Sequence, residues 1–213
     1  MSTSPARRRN PRGEGDRLRI ALLDAATDKL GEVQDVDALS VRAVTAAAGV
    51  SPTSLYLHFA DKDELVTAVK VRCFAALDER MAAAEAEHEG DPVAQVAALG
   101  RAYLGFAREQ PGWYAAIFHT NFRKDLPRGD DGISGAGLAV LVRVAEAARR
   151  CDPTLGEEGA FVVGTFLWTT LHGRVAVERA MPSFPFPDEE EWIVRLAAQW
   201  VGSSRGAAGE STG

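Results

Sequence analysis

Residues 40 to 65 read SVRAVTAAAGVSPTSLYLHFADKDEL. Two short helical segments meet in this stretch at Gly49. Ser40 and Ser51 stand where helix N-caps are expected, and Pro52 occupies the favoured first helical position. Only glycine enters a left-handed turn without a steric cost, so the two segments can meet at a steep angle. The stretch therefore predicts a helix-turn-helix unit.

Helices flank this unit on both sides. Apolar residues recur at steps of three and four from Asp16 onward and predict a helix that ends at Gly31. Downstream, Asp61 and Glu64 have the spacing of a capping box, and the helix that they begin continues to Met81. In a unit of this kind, the second short helix lies in the major groove of DNA and presents its N-terminal side chains to the bases.

The rest of the chain predicts longer helices separated by proline and glycine, in an all-α protein of about nine helices. No run alternates with a period of two over enough residues to form a strand. The later helices are expected at Pro92 to Gln110, Trp113 to His119, Ile133 to Arg150, Glu157 to Met181 and Asp188 to Gly202. The predicted organisation is a flexible arm at 1–15, a helix-turn-helix domain at 16–62, a helical domain at 63–203 and a disordered tail at 204–213.

The segment from Glu157 to Met181 is apolar on nearly every side, so it needs cover on two faces. One face can pack on the core of the chain, and the other indicates a partner subunit. The last helix strengthens this expectation because it adds Trp192, Ile193, Leu196, Ala197 and Trp200. We therefore expect a two-fold homodimer through helices 157–181 and 188–202.

Composition excludes several classes of protein. With 46% hydrophobic and 25% charged residues, the 213-residue chain has enough apolar material for a globular core. The longest uncharged stretch, Gly159 to Gly173, has 15 residues and is shorter than the roughly 20 that a membrane span needs. No apolar segment follows the basic start, so we expect no secretory signal, no membrane partner and a cytoplasmic location. Cys73 and Cys151 are expected to be reduced.

Charge is unevenly distributed along the chain. The net charge of −6 falls within residues 81–213, because residues 1–80 hold 12 basic and 12 acidic side chains. Residues 1–19 carry six arginines against two acidic residues, which makes a local cationic arm. An acidic protein can therefore still present a basic surface to nucleic acid.

The stretch from 40 to 65 resembles the DNA-binding signature of the tetracycline-repressor (TetR) family of bacterial transcriptional regulators. The resemblance runs from about Leu18 to Ala68 and depends on the spacing of Ser40, Gly49, Val50, Leu55, Tyr56, His58, Phe59 and Lys62. Further on, LWTTLHG at 167–173 is similar to the Trp-x-x-x-His-Gly (WHG) pattern of one subfamily. The resemblance implies a regulator, by family precedent a repressor, that binds a palindromic operator as a dimer and is released by a small-molecule effector.

The resemblance also implies which residues contact DNA. The base-reading positions fall on Arg42, Pro52, Thr53 and Ser54, and the phosphate-contacting positions on Ser40, Tyr56, His58 and Lys62. The chemistry agrees, since arginine pairs with a guanine edge and hydroxyl groups bond to several edges. Surface or core roles remain open for each residue. Leu57 departs from the pattern because many relatives carry a second aromatic residue there.

The basic arm offers Arg7, Arg8, Arg9 and Arg12. Arginines of this kind can enter the minor groove or follow the phosphates. A nonspecific solubilising tail explains the same composition equally well, so both interpretations stay open.

The second domain is expected to hold the effector. Aromatic rings with a few polar ends are typical of such cavities, and the candidates are Tyr103, Phe106, Trp113, Tyr114, Phe118, His119, Phe122, Trp168 and His172. Trp113 and His119 are the first choice because proline, glycine and a polar loop interrupt the chain around them. Each residue has the alternative of a plain core position, and His172 beside Gly173 can mark close helix packing.

Catalysis and metal binding lack support in the sequence. The four histidines are widely separated, and no glycine-rich phosphate loop or nucleophile motif occurs. We therefore expect no metal site, no cofactor and no catalytic residue. Two alternatives stay open: an all-α ligand-binding protein without specific DNA binding, and an α-helical enzyme that uses His119 or His172 as a base.

Overall fold

The computed structural model describes residues 14–33, 35–118 and 133–207, with side chains at 15–33, 35–118 and 135–199. In these ranges the chain forms nine helices, and no residue in them adopts a strand. The helices are α1 Glu14–Val33, α2 Val41–Ala47, α3 Pro52–Leu55, α4 Lys62–Ala86, α5 Pro92–Glu109, α6 Pro111–Phe118, α7 Ile133–Cys151, α8 Glu157–Ala180 and α9 Glu189–Ala207. The all-α prediction is confirmed.

The turn between α2 and α3 follows the sequence prediction. Gly49 has a φ of +69°, in the left-handed region that glycine enters without strain. Ser40 and Ser51 occupy the N-cap positions, but neither side chain makes a capping hydrogen bond. Helix α3 is shorter than the two turns expected, because regular helix ends at Leu55 and the chain continues as a turn through His58.

Helix α1 is longer than predicted at both ends. It begins at Glu14, inside the expected arm, and passes through Gly31 to Val33. Gly31 is therefore not a helix stop. Helix α6 comes close to this point, since a Cβ built on Gly112 would lie 3.2 Å from the Gly31 Cα, whereas a Cβ on Gly31 itself would make ordinary contact with Trp113 Nε1 at 3.8 Å.

Helix α4 connects the two parts of the molecule. One half of the predicted capping box is present, as the Asp61 carboxylate accepts a hydrogen bond from the Glu64 amide at 2.8 Å. In the other half, the Glu64 carboxylate accepts from the Ala60 amide rather than from that of Asp61. The buried stripe of α4 is Leu65, Val69, Cys73, Leu77 and Met81, and Arg72 and Ala76, which are both half-buried, are not part of it. Arginine–carboxylate pairs then tie α4 to its neighbours: Arg72–Asp24 to α1, Arg80–Glu109 to α5 and Arg143–Asp78 to α7.

Helix α5 lies at the centre of the C-terminal bundle and packs against α4, α6, α7, α8 and α9. Helices α7 and α8 cross closely, since a Cβ on Gly164 would come within 2.9 Å of the Ala145 backbone. By contrast, nothing lies within 4 Å of a Cβ built on Gly173. On α8, close helix packing is therefore found at Gly164 and not beside His172.

The two last helices differ in what they leave exposed. On α8, Phe161, Val162 and Phe166 are exposed apolar residues. On α9, Ile193 and Ala197 are fully buried in the core of the chain. The prediction that the apolar residues of α9 face a partner is therefore wrong for these two residues, because α5 already covers them.

Among the described helices, α8 alone is long and apolar enough to cross a membrane by length and composition. That property does not identify a membrane span, since core helices of soluble proteins meet the same test. Helix α8 also carries Arg174 and Glu178, which form an ion pair with an N–O distance of 2.8 Å.

Helix α9 continues to Ala207, beyond the predicted end at Gly202 and into the expected tail. The final residues 208–213 and the arm residues 1–13 lie outside the described part of the chain.

Candidate nucleic-acid interface and effector site

The helix-turn-helix unit separates its side chains into two sets. Val44, Leu55 and Phe59 are buried in the core. The predicted base-reading residues lie on the opposite surface, where Arg42, Pro52 and Thr53 are exposed and Ser54 is half-buried. Ser51 and Ser54 contact each other through their hydroxyl oxygens at 3.0 Å. The local fold therefore holds the base-reading candidates on the outside of the unit.

The predicted phosphate-contacting residues have different surroundings. Tyr56 and Ser40 are exposed, and His58 is half-buried. Lys62 Nζ donates a hydrogen bond to the Asp37 carbonyl at 2.9 Å, which ties the start of α4 to the loop before α2. Lysine has three donors, so this contact leaves Nζ able to meet an acceptor from outside.

One cationic contact of this domain was not predicted. The Arg19 guanidinium lies 4.7 Å from the centre of the Phe59 ring, which joins α1 to the turn after α3. The expected arm residues Arg7, Arg8, Arg9 and Arg12 lie outside the described residues. Their role stays a prediction.

A polar cluster occupies the interior of the C-terminal bundle. The Tyr103 and Tyr114 hydroxyls lie 3.2 Å apart, and His172 Nδ1 lies 3.2 Å from the first and 2.7 Å from the second. Burial raises the pKa of Tyr103, and it raises the pKa of Tyr114 to about 12. Burial also lowers the pKa of His172. All three groups are therefore favoured in their neutral forms.

Aromatic rings form one wall of this cluster. The Phe118 ring centre lies 4.5 Å from that of His172, and Trp168 lies 6.2 Å from Phe118. Phe118, Trp168 and His172 are half-buried, whereas Tyr103 and Tyr114 are buried. Three helices, α5, α6 and α8, thus bring together residues that are far apart in sequence.

Two of the predicted effector residues lie elsewhere. Phe106 and Trp113 pack against each other, with ring centres 6.4 Å apart. Trp113 Nε1 donates to the Thr27 carbonyl of α1 at 3.2 Å, so this ring belongs to the junction between the two domains. Trp113 is thus separate from the cluster of Tyr103, Tyr114 and His172, and its effector role stays a prediction. His119 and Phe122 lie outside the described residues.

The same junction contains the closest backbone approach of α6. A Cβ on Gly112 would lie 2.4 Å from the Leu30 carbonyl oxygen, so only glycine fits without displacing backbone. Tyr114 of the cluster and Trp113 of the junction are adjacent residues of α6. One short helix therefore contacts both the polar cluster and the DNA-binding domain.

No group of three or more histidine, cysteine, aspartate or glutamate side chains forms a possible metal site within the described ranges. Neither cysteine is in a disulfide. Burial raises the pKa of Cys73 to about 12, which leaves its thiol protonated and unreactive.

Comparison with known proteins agrees with this architecture. A family model described as "Bacterial regulatory proteins, tetR family" matches residues 22–69, and one described as "Tetracyclin repressor-like, C-terminal domain" matches residues 96–199. An HTH-type transcriptional regulator of Mycobacterium tuberculosis is 26% identical over 145 residues, which are 67% of this chain and 62% of that protein. Alignments with three curated relatives span 24 to 62% of the relatives' own lengths.

Solved structures show the same fold. A protein of unknown function from Rhodococcus sp. RHA1 is 24% identical, with a TM-score of 0.70 over 96% of this chain and 98% of that one. The transcriptional regulator FadR from Bacillus subtilis, solved in complex with stearoyl-CoA, is 13% identical, with a TM-score of 0.64 over 86% of this chain and 97% of that one. Both family models describe parts of one family and lie in the expected order along the sequence. The chain belongs to the TetR family of bacterial regulatory proteins.

Proposed function

We propose that this chain is a cytoplasmic transcriptional regulator that binds an inverted-repeat operator as a homodimer and is released by a small-molecule effector, as a repressor. The observation that carries the proposal is the separation of side chains across α2 and α3. Arg42, Pro52 and Thr53 are exposed on one surface, while Val44 and Leu55 beneath them are fully buried. Because the buried side chains keep α2 and α3 folded while the outer side chains face solvent, α3 can enter the major groove of DNA without unfolding.

Each exposed group has a role in this proposal. Arg42 pairs with the O6 and N7 of a guanine, and Thr53 and Ser54 bond to base edges or contact a thymine methyl. Ser40, Tyr56, His58 and Lys62 contact phosphate oxygens and fix the docking angle. The arm arginines add phosphate or minor-groove contacts.

The exposed apolar residues of α8 support the proposed dimer. Phe161, Val162 and Phe166 are each more than two-fifths exposed, although all three are large and apolar. Between Glu158 and Arg174 the helix carries no charged residue. A second copy of α8 across a two-fold axis covers such a face, and α9 then contributes residues other than Ile193 and Ala197.

The effector is proposed to bind at the cluster of Tyr103, Tyr114 and His172. The Bacillus subtilis neighbour, solved with stearoyl-CoA, supports the idea that this fold accommodates an apolar ligand. Helix α6 carries Tyr114 into the cluster and Trp113 onto α1, so a ligand that shifts α6 also moves the DNA-binding domain. A shift of this kind changes the spacing of the two recognition helices in a dimer.

Selection of bound duplexes from a random DNA pool tests the proposal. The wild-type protein is expected to enrich a palindrome, and Arg42→Ala should relax one base position per half-site at a cost of roughly 1 to 3 kcal/mol. Arg149→Ala, which removes an exposed arginine of α7, is the matched control and should enrich the wild-type sequence. If no sequence is enriched at moderate salt by effector-free protein, the DNA-binding proposal fails.

A further inference from the structure

The two phenols and the imidazole of the polar cluster share few acceptors. Each phenolic hydroxyl donates one proton and can also accept, whereas a neutral imidazole has one nitrogen that donates and one that accepts. Tyr103 is fully buried and Tyr114 nearly so, so their hydroxyl protons need acceptors inside the cluster.

Two acceptors are within reach of the Tyr103 proton. Tyr114 Oη and His172 Nδ1 both lie 3.2 Å from the Tyr103 oxygen. The Tyr114 proton in turn reaches His172 Nδ1 at 2.7 Å, the shortest contact of the cluster. When Nδ1 is unprotonated, both phenolic protons have acceptors in the cluster.

In the opposite tautomer of His172, one phenolic proton has no acceptor. If Nδ1 carried a proton, it could no longer accept, and only the two phenolic oxygens would remain for the protons of both hydroxyls and the imidazole. One phenolic proton would then lack an acceptor within the cluster, although Tyr103 is fully buried and Tyr114 nearly so. An unsatisfied buried donor is strongly disfavoured. The neutral ring with its proton on Nε2 is the arrangement that gives both phenolic protons an acceptor.

The Nε2–H group of His172 is the last donor of this hydrogen-bonded series. Its imidazole is half-buried, and Nε2 has no hydrogen-bond partner among the side chains and backbone groups of the described residues. The Phe118 and Trp168 rings lie beside the same imidazole, at 4.5 and 5.8 Å between ring centres. A directed N–H donor thus stands next to an aromatic wall.

We propose that the effector is an apolar or aromatic molecule that carries a hydrogen-bond acceptor of the carbonyl type, and that His172 Nε2–H donates to this acceptor. Phe118 and Trp168 contact the apolar body of the ligand. A ligand whose polar end is only a donor, such as a primary ammonium group, meets another donor at Nε2 and is excluded. This inference rests on the proposed effector site and names the chemistry that the site selects.

The tautomer of His172 is the first test, and it uses the wild-type protein without DNA or ligand. In protein labelled with ¹⁵N-histidine, NMR correlation of ring nitrogens with ring protons distinguishes a protonated Nε2 from a protonated Nδ1. His172→Gln assigns the signal by its disappearance. A neutral ring protonated on Nε2 is expected, and a ring protonated on Nδ1 overturns the proposal.

The second test compares two compounds of nearly equal shape, 2-acetylnaphthalene and 2-isopropylnaphthalene, of which only the ketone has an acceptor. Their dissociation constants are measured from tryptophan fluorescence on DNA-free protein. The ketone is expected to bind about five- to tenfold more tightly, as one net hydrogen bond provides. His172→Phe should remove this preference, so that the ketone and the hydrocarbon bind the variant with equal dissociation constants.

Three outcomes of the second test contradict the inference: equal binding of both compounds by the wild type, a preference that persists in His172→Phe, and binding of neither compound. The DNA selection experiment is run on the same preparation. An enriched palindrome without ketone preference overturns the inference on ligand chemistry alone. A ketone preference without any enriched sequence overturns the DNA-binding function instead.

Discussion

The indole N–H of Trp113 donates a hydrogen bond to the backbone carbonyl of Thr27 across 3.2 Å. Thr27 is buried on α1, and its own hydroxyl donates to the Leu23 carbonyl at 2.7 Å. Trp113 lies one residue before Tyr114, which contacts His172. The contact therefore joins the DNA-binding domain to the helix that enters the polar cluster.

Trp113→Phe is expected to weaken this junction while keeping an aromatic ring there. The variant loses one hydrogen bond, so its free energy of unfolding should fall by about 1 kcal/mol. If α6 transmits the effector signal through this contact, the effect of ligand on operator affinity should also shrink. Urea unfolding and operator binding with and without 2-acetylnaphthalene measure both. If the ligand changes the operator affinity of the variant as much as that of the wild type, the signal does not pass through this contact.

Gly112→Ala should separate α6 from α1. The added Cβ lies 2.4 Å from the Leu30 carbonyl oxygen, which is backbone and cannot rotate away. We expect a loss of about 1 to 3 kcal/mol, seen as a lower melting temperature. Gly135→Ala is the matched control, because that glycine lies in α7 with nothing within 4 Å of its Cβ. The control should be neutral or slightly stabilising, and equal melting temperatures for both variants would contradict the packing.

Lys62→Met separates a structural role of this residue from a DNA-binding role. Loss of the hydrogen bond to the Asp37 carbonyl should lower the free energy of unfolding by about 1 kcal/mol. Loss of a phosphate contact should reduce the slope of log affinity against log salt by about one. We expect both changes. Arg149→Met removes an exposed cation of α7 and serves as control, and an unchanged salt slope in Lys62→Met would leave only the structural role.

The pKa of His172 predicts how stability depends on pH. Burial lowers this pKa below its ordinary value, so the unfolded chain takes up a proton at a higher pH than the folded chain. The contribution to stability is therefore present above about pH 6.5 and is lost as the pH falls through the folded pKa. Tyr103 and Tyr114, which face the ring from α5 and α6, do not ionise in this range because burial raises their pKa values.

Denaturant unfolding between pH 7.5 and pH 5.5 measures this dependence. His172→Gln keeps a hydrogen-bonding side chain but does not titrate, so its stability should fall less steeply toward acid than that of the wild type. His88→Gln, a change on the connection between α4 and α5, should retain the wild-type slope. If the free energy of unfolding falls equally steeply toward acid in His172→Gln and in the wild type, His172 does not cause the pH dependence.

Val162→Glu tests the proposed dimer interface. The side chain is 46% exposed on α8, so a carboxylate is tolerated in the single chain but is costly to bury between two copies. Sedimentation should find the wild type as a dimer and the variant as a monomer. Ile20→Glu places the same charge at a 58% exposed apolar position of α1 and should remain a dimer. A variant with unchanged dimer mass would move the interface away from this face.

Local interactions made the helix-turn-helix unit predictable. The left-handed turn at Gly49 and the N-cap hydrogen bond of Asp61 to Glu64 depend on residues that are close in sequence, and both are present in the structure. The prediction that α1 ends at Gly31 was wrong because local sequence is ambiguous at this position. A glycine in a helical pattern signals either a terminus or a close approach of another element, and the local sequence does not distinguish the two.

The sequence by itself determined the helical class, the family signature and which side of α2 and α3 is apolar, because capping, turn conformation and periodicity act over a few residues. Only the tertiary structure decided which aromatic residues meet. Periodicity assigns a ring to the buried face of its helix but does not specify the opposing helix. For this reason the sequence favoured Trp113 over His172 as an effector residue, although Trp113 packs on α1 and His172 joins Tyr103 and Tyr114 across the bundle. The same reason applies to Ile193, whose partner turned out to be α5 of its own chain.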